Sequence, residues 1–200
     1  MVDPVTAWRT DHFYFRQLLH LLQEQLDLLH QDEEPAYDVM VDIVSYLRDY
    51  VDRSHHPRED VAFARLANYC PNMELVVARL QQEHRVIAHT GNELVELLQA
   101  VMSGEIVPRE QIEALTSTYL VYYNGHLAKE DGAVIDSAAH HLTDADWQAV
   151  KNAAPLHSDP LFGQQPEARY LSLREYVVRA GLVSADSQAQ RAAKREAQTA

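Results

Sequence analysis

Two segments of the sequence repeat the pattern His-x-x-basic-Glu-Asp. One reads His-His-Pro-Arg-Glu-Asp and begins at His55, and the other reads His-Leu-Ala-Lys-Glu-Asp and begins at His126. Residues four apart lie on one face of a helix, so His55 presents its imidazole beside the carboxylate of Glu59. His126 and Glu130 form the same kind of pair. Because neutral imidazole binds iron, zinc and copper, and a carboxylate can bridge two cations, the two pairs could clamp two metal ions.

A single His-x-x-x-Glu pair is weak evidence for a metal site, since it more often forms an ion pair on a helix surface. The repetition of the pattern, with the trailing aspartate in both copies, favours a site. A ferritin-like arrangement would need Glu-x-x-His on two helices. No glutamate stands three residues before any of the candidate histidines, so that alternative is disfavoured.

The elements that position these residues are predicted to be four long helices. Apolar residues recur at helical spacing in four segments that proline, glycine or polar residues separate. The segments are residues 4–30, 39–67, 72–103 and 108–140. Pro57 is expected to bend the second helix or open it locally. Long helices with short connections predict an all-α fold, an up-down-up-down four-helix bundle with short C-terminal helices.

The C-terminal part of the sequence predicts short helices after the bundle. Thr143 and Asp146 resemble a capping box and predict a fifth helix that ends near Ala154. Residues 169–179 predict a last short helix. The expected organisation is a bundle over residues 1–142, a helical extension packed on it over 143–183, and a disordered tail over 184–200.

The up-down-up-down order adds one histidine from each of the two remaining helices. Measured from the bundle end that holds the N-terminus, His12, Glu59, His84 and Glu130 all lie roughly 12 to 18 Å along their helices. The aromatic residues expected to wall this level are Trp8, Phe15, Tyr119 and Tyr122.

The remaining histidines are not expected to bind metal. His56 points about 100° away from His55 around the helix and is expected to support a ligand or lie at the surface. The others are predicted to be off the site and mostly solvated: His20, His30, His89, His140, His141 and His157.

Charge and cysteine content exclude several classes of function. With 30 acidic and 17 basic residues, the chain has a net charge of -13, which repels phosphate backbones and anionic lipid headgroups. Binding to nucleic acid or membranes is therefore not expected. One cysteine, Cys70, and an N-terminus without a signal-peptide pattern predict a cytoplasmic protein.

The ordered set His12, His55-x-x-x-Glu59, His84 and His126-x-x-x-Glu130 resembles the hemerythrin-like, or HHE cation-binding, domain family over about residues 5–140. The resemblance implies a four-helix bundle around two non-haem iron ions. It also implies that both glutamates bridge the irons, with His12 and His55 on one iron and His84 and His126 on the other. The six predicted ligands are thus His12, His55, Glu59, His84, His126 and Glu130.

The third helix departs from the pattern of the oxygen-carrying members, which bear two histidines one turn apart. Here the positions four before and four after His84 are Leu80 and Ala88. A set of four histidines and two glutamates is similar to that of bacterial proteins implicated in iron–sulfur repair and the nitric oxide response. The expected function is binding of, or reaction with, O2, NO or peroxide in sensing, iron handling or stress response.

Several alternatives stay open from the sequence. The protein could be a di-iron peroxidase or oxidase, or a helical interaction module without metal. Zinc or manganese could replace iron, and a homodimer is allowed.

Overall fold

The computed structural model describes residues 4–154 and 158–179. Within those ranges the chain forms eight α-helices. They are α1 (Pro4–His30), α2 (Tyr37–Tyr46), α3 (His56–Tyr69), α4 (Glu74–Met102), α5 (Arg109–Lys129), α6 (Ile135–His141), α7 (Asp144–Asn152) and α8 (Leu171–Arg179). The predicted all-α bundle with short C-terminal helices is confirmed, and the predicted tail, 184–200, lies outside the described residues.

Two π-helical segments join α-helices into longer continuous helices. Leu47–His55 connects α2 to α3, and Glu130–Val134 connects α5 to α6. The four bundle helices are therefore α1, residues 37–69, α4 and residues 109–141. The opening predicted at Pro57 takes the form of the first π segment, because proline has no N–H to donate and its ring clashes with the carbonyl four residues earlier. The second segment contains no proline and was not predicted.

The helix ends follow from local backbone hydrogen bonds. After α1, Asp32 adopts a left-handed φ of 59°, and the amide of Glu33 donates to the carbonyl of Leu28 over 2.9 Å. After α4, Gly104 also adopts a left-handed φ, of 87°. Both turns satisfy carbonyls that the last helical turn leaves without partners, so the chain reverses sharply into the next element.

Two apolar clusters fill the bundle at different heights. One contains Trp8, Phe63 and Leu80 near the end that holds the N-terminus. The other contains Phe15 and Leu94 and fills the opposite part. On the first three bundle helices, the predicted ligands fall between residues of the two clusters, and on the fourth Glu130 does so. The site is therefore a buried polar layer between two apolar layers.

The C-terminal extension packs on the bundle from two sides. The capping box at Thr143 and Asp146 is confirmed. Asp146 also accepts from Arg65 over 2.6 Å and from Tyr69 over 2.9 Å, which ties α7 to α3. On the other side, Phe162 stacks on Tyr14 with ring centroids 4.2 Å apart.

None of the described helices is long and apolar enough to cross a membrane.

Candidate metal centre

All six predicted ligands converge on one buried level of the bundle. His12, Glu59, His126 and Glu130 have no exposed surface, and His55 and His84 are buried as well. The bundle therefore brings together residues that are up to 118 positions apart in the chain, from His12 to Glu130. The convergence agrees with the common height expected from helix lengths.

On one side of the site, two imidazoles share a carboxylate. Nε2 of His12 lies 3.1 Å from Nε2 of His55. Oε1 of Glu59 lies 3.2 Å from the first nitrogen and 3.0 Å from the second. His55 and Glu59 reach one point because they are four residues apart, one turn along the second bundle helix.

The other side repeats the arrangement with His84, His126 and Glu130. Oε1 of Glu130 lies 3.1 Å from Nε2 of His126 and 3.6 Å from Nε2 of His84. The two sides also meet through their carboxylates. Oε2 of Glu130 is 3.6 Å from Nε2 of His12, and Oε2 of Glu59 is 3.8 Å from Nε2 of His84. Each glutamate thus lies between both histidine pairs, which is where a bridging carboxylate would have to be.

A carboxylate on a neighbouring helix holds the outer nitrogen, Nδ1, of each of these histidines. The Nδ1-to-oxygen distances are 3.0 Å for His12 to Asp131, 3.3 Å for His55 to Asp11, 2.9 Å for His84 to Asp60 and 3.4 Å for His126 to Glu83. An imidazole that donates from Nδ1 keeps Nε2 free as a ligand, and the donation fixes the orientation of the ring.

These four supporting acids were not assigned roles from the sequence, although a signal exists. Asp11 and Glu83 directly precede the histidines at 12 and 84, while Asp60 and Asp131 directly follow the two central glutamates. In each case the acid supports a histidine on a different helix. The trailing aspartate of the repeated motif is therefore explained by contacts between helices.

The carboxylates raise the basicity of two histidines on the first side. Burial lowers the pKa of His12, but hydrogen bonds to Asp131 and Glu59 outweigh that effect and raise it to about 9. Burial also lowers the pKa of His55, yet the charge of Glu59 and the contact with Asp11 raise it to about 10. Without metal, the carboxylates therefore favour the cationic form of each imidazole.

The second side shows the same balance. Burial opposes the cationic form of His84, but Asp60 and the nearby Glu130 raise its pKa to about 10. Burial would raise the pKa of both central carboxyls, and for Glu130 the charge of Glu59 acts in the same direction. Facing imidazoles outweigh these effects and lower the pKa of both, so both glutamates are ionised and present negative charge to a cation.

His56 is buried, so the surface position considered for it is wrong. Its ring stacks on that of His84 with centroids 4.2 Å apart and planes 14° from parallel. Its Nδ1 lies 2.9 Å from Oδ1 of Asp52. Two nearly parallel rings at that separation cannot both direct their ring planes at one ion. His56 therefore lies beside the six predicted ligands.

The aromatic wall is mostly as predicted, with one error. Trp8 and Phe15 pack edge-on against His55, with centroids 6.2 and 5.0 Å away. Tyr119 is buried, but Tyr122 is 43% exposed, and Tyr123 is the tyrosine that faces the interior. Buried positions on this helix alternate by three and four residues, and 123 fits that alternation with 119 whereas 122 does not.

The other described histidines are exposed, as expected: His20, His30, His89, His140 and His141. His157 lies outside the described residues.

Unpaired buried atoms test whether a metal fits the site. Among the described residues, the central atoms without a hydrogen-bond partner are Oε2 of Glu59, both carboxylate oxygens of Glu130, and Nε2 of His84 and His126. A buried polar group without a hydrogen bond costs about 1–3 kcal/mol, and more when it is charged. All five atoms are metal donors, and the carboxylate oxygens among them lie 3.1 to 3.8 Å from imidazole nitrogens of the same cluster, so the residues fit a bound cation.

Two groups of side chains are close enough to hold a metal ion. The first contains His12, His55 and Glu59, and the second contains His56, Glu59, His84 and His126. Glu59 belongs to both groups. The second group differs from the predicted ligands, because it includes His56 and omits Glu130. Since the stacked rings of His56 and His84 cannot both face one ion, the geometry suits two cations that share Glu59 without His56 and His84 on the same ion.

Comparison with known protein families gives a match. The family described as "Hemerythrin HHE cation binding domain" matches residues 3–138. No significant match was found among curated proteins. The matched range covers all six predicted ligands and all four supporting acids, and it ends before α7.

Proposed function

This chain belongs to the hemerythrin HHE cation-binding domain family, and we propose that its buried cluster holds two non-haem iron ions. The two central glutamates would be shared by the ions. The pair His12 and His55 would hold one ion, and the pair His84 and His126 would hold the other. Iron bound in this way supplies reversible or irreversible redox chemistry toward small oxygen- or nitrogen-containing molecules.

The observation that carries the proposal is the set of buried donor atoms that have no hydrogen-bond partner among the described residues. Glu59 and Glu130 are fully buried and ionised, and three of their four carboxylate oxygens belong to this set. The groups that face these oxygens are imidazoles of the same cluster, at 3.1 to 3.8 Å, and imidazoles are metal donors themselves. Four imidazoles whose Nδ1 atoms are already held by acids leave four Nε2 atoms for the cations.

The ligand set favours a reactive centre over a simple oxygen carrier. Leu80 is fully buried and Ala88 lines a groove, so α4 offers one imidazole to the cluster where oxygen carriers offer two. Two ions with four imidazoles and two carboxylates retain coordination positions for an external ligand. We infer that O2, NO or peroxide is that ligand, in sensing, iron handling or stress response.

The protein's own residues exclude bulk water and orient the ligands. Trp8, Phe15 and Tyr123 enclose the cluster, and the supporting acids fix the imidazole rings. Low polarity around the site strengthens the attraction between the glutamates and the cations. We place the protein in the cytoplasm, which agrees with its free Cys70.

Metal analysis with optical spectroscopy tests the proposal. Protein loaded anaerobically with ferrous iron should contain two irons per chain and change its absorption on exposure to O2 and, separately, to NO. One zinc per chain, or no retained iron, contradicts it. Repeated turnover of peroxide would instead indicate the peroxidase, and sedimentation of the loaded protein separates a monomer from a homodimer.

A further inference from the structure

A groove of about 190 Å³ opens beside the metal centre, between the second bundle helix and α4. Its lining includes Asp52, His56, Asp60, His84, Arg85 and Ala88. His84 is one of the predicted ligands, so the inner wall of the groove is part of the site. The groove therefore extends from the surface of the bundle to one side chain of the site.

His56 stands between the groove and the cluster. It is 4% exposed, and its ring covers that of His84. Its ligand atoms lie within 4.8 Å of donor atoms of Glu59, His84 and His126. His84 lines the groove, and its Nε2 atom is buried and has no hydrogen-bond partner among the described residues. A cation held by His56 would thus lie next to the predicted ligands.

The charges around the groove suit a cation. Asp52 and Asp60 present carboxylates with side-chain exposures of 15% and 42%, and Asp60 also contacts His84. Two carboxylates therefore face one guanidinium, that of Arg85, across the lining. Carboxylate and imidazole are donors for divalent metals, so the lining offers oxygen and nitrogen ligands to an incoming cation.

Two other faces of the site carry basic side chains over its supporting acids. Arg16 donates to Asp131 over 2.6 Å on the face between α1 and the fourth bundle helix. Lys129 donates to Glu83 over 2.7 Å on the face between α4 and α5. Positive charge at these places opposes the approach of a metal cation, in contrast to the groove.

We propose that this groove is the route by which divalent metal ions reach the centre, and that His56 is a transit ligand. His56 binds the incoming ion at the inner wall, and the six buried ligands then replace it. The near-parallel stack of His56 on His84 suits a temporary ligand, since the two rings cannot direct their nitrogens at one ion together. This inference rests on the proposed metal-binding function.

Uptake of cobalt(II) by the metal-free full-length protein tests the route. Stopped-flow absorption gives the rate of uptake, and equilibrium titration gives the final stoichiometry. Ala88→Phe fills the groove and should slow uptake without changing the stoichiometry. Ala100→Phe is the matched control, because Ala100 is on the same helix and is similarly half-buried but is absent from the groove.

Charge at the mouth provides a variant that cannot disturb the core. Arg85 is exposed, and Arg85→Glu makes the groove more acidic. Uptake of cobalt(II) should become faster by about tenfold at low salt and lose most of that gain at high salt. An unchanged rate would overturn the cationic route even if Ala88→Phe failed to fold.

His56→Phe tests the transit ligand, because it keeps an aromatic ring on His84 and removes the nitrogens. It should slow uptake and leave the final cobalt content equal to that of the unmodified protein. A lower final content would make His56 a resident ligand and overturn the transit role, as would an unchanged rate. Failure of the unmodified protein to bind cobalt at equilibrium would instead refute the proposed function itself.

Discussion

Asp131 on the fourth bundle helix accepts a hydrogen bond of 3.0 Å from Nδ1 of His12 on the first. This contact closes a cycle around the bundle. The acid at position 11 on the first helix holds a histidine of the second, an acid of the second holds one of the third, and an acid of the third holds one of the fourth. The orientation of each predicted histidine ligand therefore depends on the preceding helix of the cycle being in place.

The first prediction concerns that contact. The carboxylate of Asp131 orients His12 and raises the pKa of its imidazole. Asp131→Asn removes that charge, so metal affinity should fall by about 10- to 100-fold. Competition with a coloured chelator measures the change. Asp136→Asn is the control, since Asp136 is an exposed acid on the same bundle helix that pairs with Arg9. Equal affinities in both variants would show that Asp131 does not support the site.

The second prediction concerns the central carboxylates. Glu59→Gln should lose bound metal, because an amide cannot bridge two cations. It should also destabilise the metal-free protein at neutral pH by about 3 kcal/mol, since it leaves the buried cations of His12 and His55 without their partner. Metal analysis and urea unfolding measure the two effects.

Glu93→Gln is the matched control for Glu59→Gln. Glu93 lies four residues after His89, so it has the same local spacing, but both side chains are more than half exposed. An exposed pair contributes about 0–1 kcal/mol, so stability and metal content should hardly change. Similar losses in both variants would contradict the special role of the buried pair.

The same comparison shows what sequence could and could not predict. His20 with Glu24 and His89 with Glu93 also stand four residues apart, yet they lie on the surface. Spacing alone cannot separate them from the buried pairs. The trailing aspartate and the common height along the bundle could, because both report contacts between helices.

Other features depend on how each helix is rotated, which the spacing from a single ligand does not determine. Tyr122 and Tyr123 differ by one position, and only Tyr123 faces the interior. The π segment Glu130–Val134 shifts the register of the last bundle helix, and it contains no proline that would indicate it from the sequence. Such segments often occur at functional sites, and here each one contains a predicted ligand, His55 in the first and Glu130 in the second.

The third prediction concerns pH. In the metal-free protein the pKa is about 9 for His12 and about 10 for His55 and His84, against an ordinary value of 6.5. A raised folded-state pKa stabilises the fold fully below about pH 6.5, and this stabilisation is lost as pH rises through 9 to 10. The lowered pKa values of Glu59 and Glu130 act oppositely, so their contribution is lost as pH falls below 4.5.

The metal-free protein should therefore melt highest between about pH 4.5 and 6.5 and progressively lower toward pH 10. Bound metal competes with protons for the same Nε2 atoms, so loaded protein should gain relative to metal-free protein as pH rises. Circular dichroism melts of both forms from pH 4 to 10 measure the difference. Metal-free protein that becomes more stable between pH 7 and 10 would contradict the charged cluster.

The last prediction separates the extension from the site. The hydroxyl of Thr143 accepts from the amide of Asp146 and donates to its carboxylate over 2.7 Å, and Asp146 in turn holds Arg65 on α3. Thr143→Ala removes this cap and should lower the free energy of unfolding by about 1 kcal/mol. Metal content should stay unchanged, because α7 contributes none of the six predicted ligands.

Thr10→Ala, which removes an exposed hydroxyl bonded within its own helix, should lower the free energy of unfolding by less. Loss of metal from Thr143→Ala without a change in unfolding would place part of the metal site in the extension and contradict the assignment of the whole centre to residues 12–131.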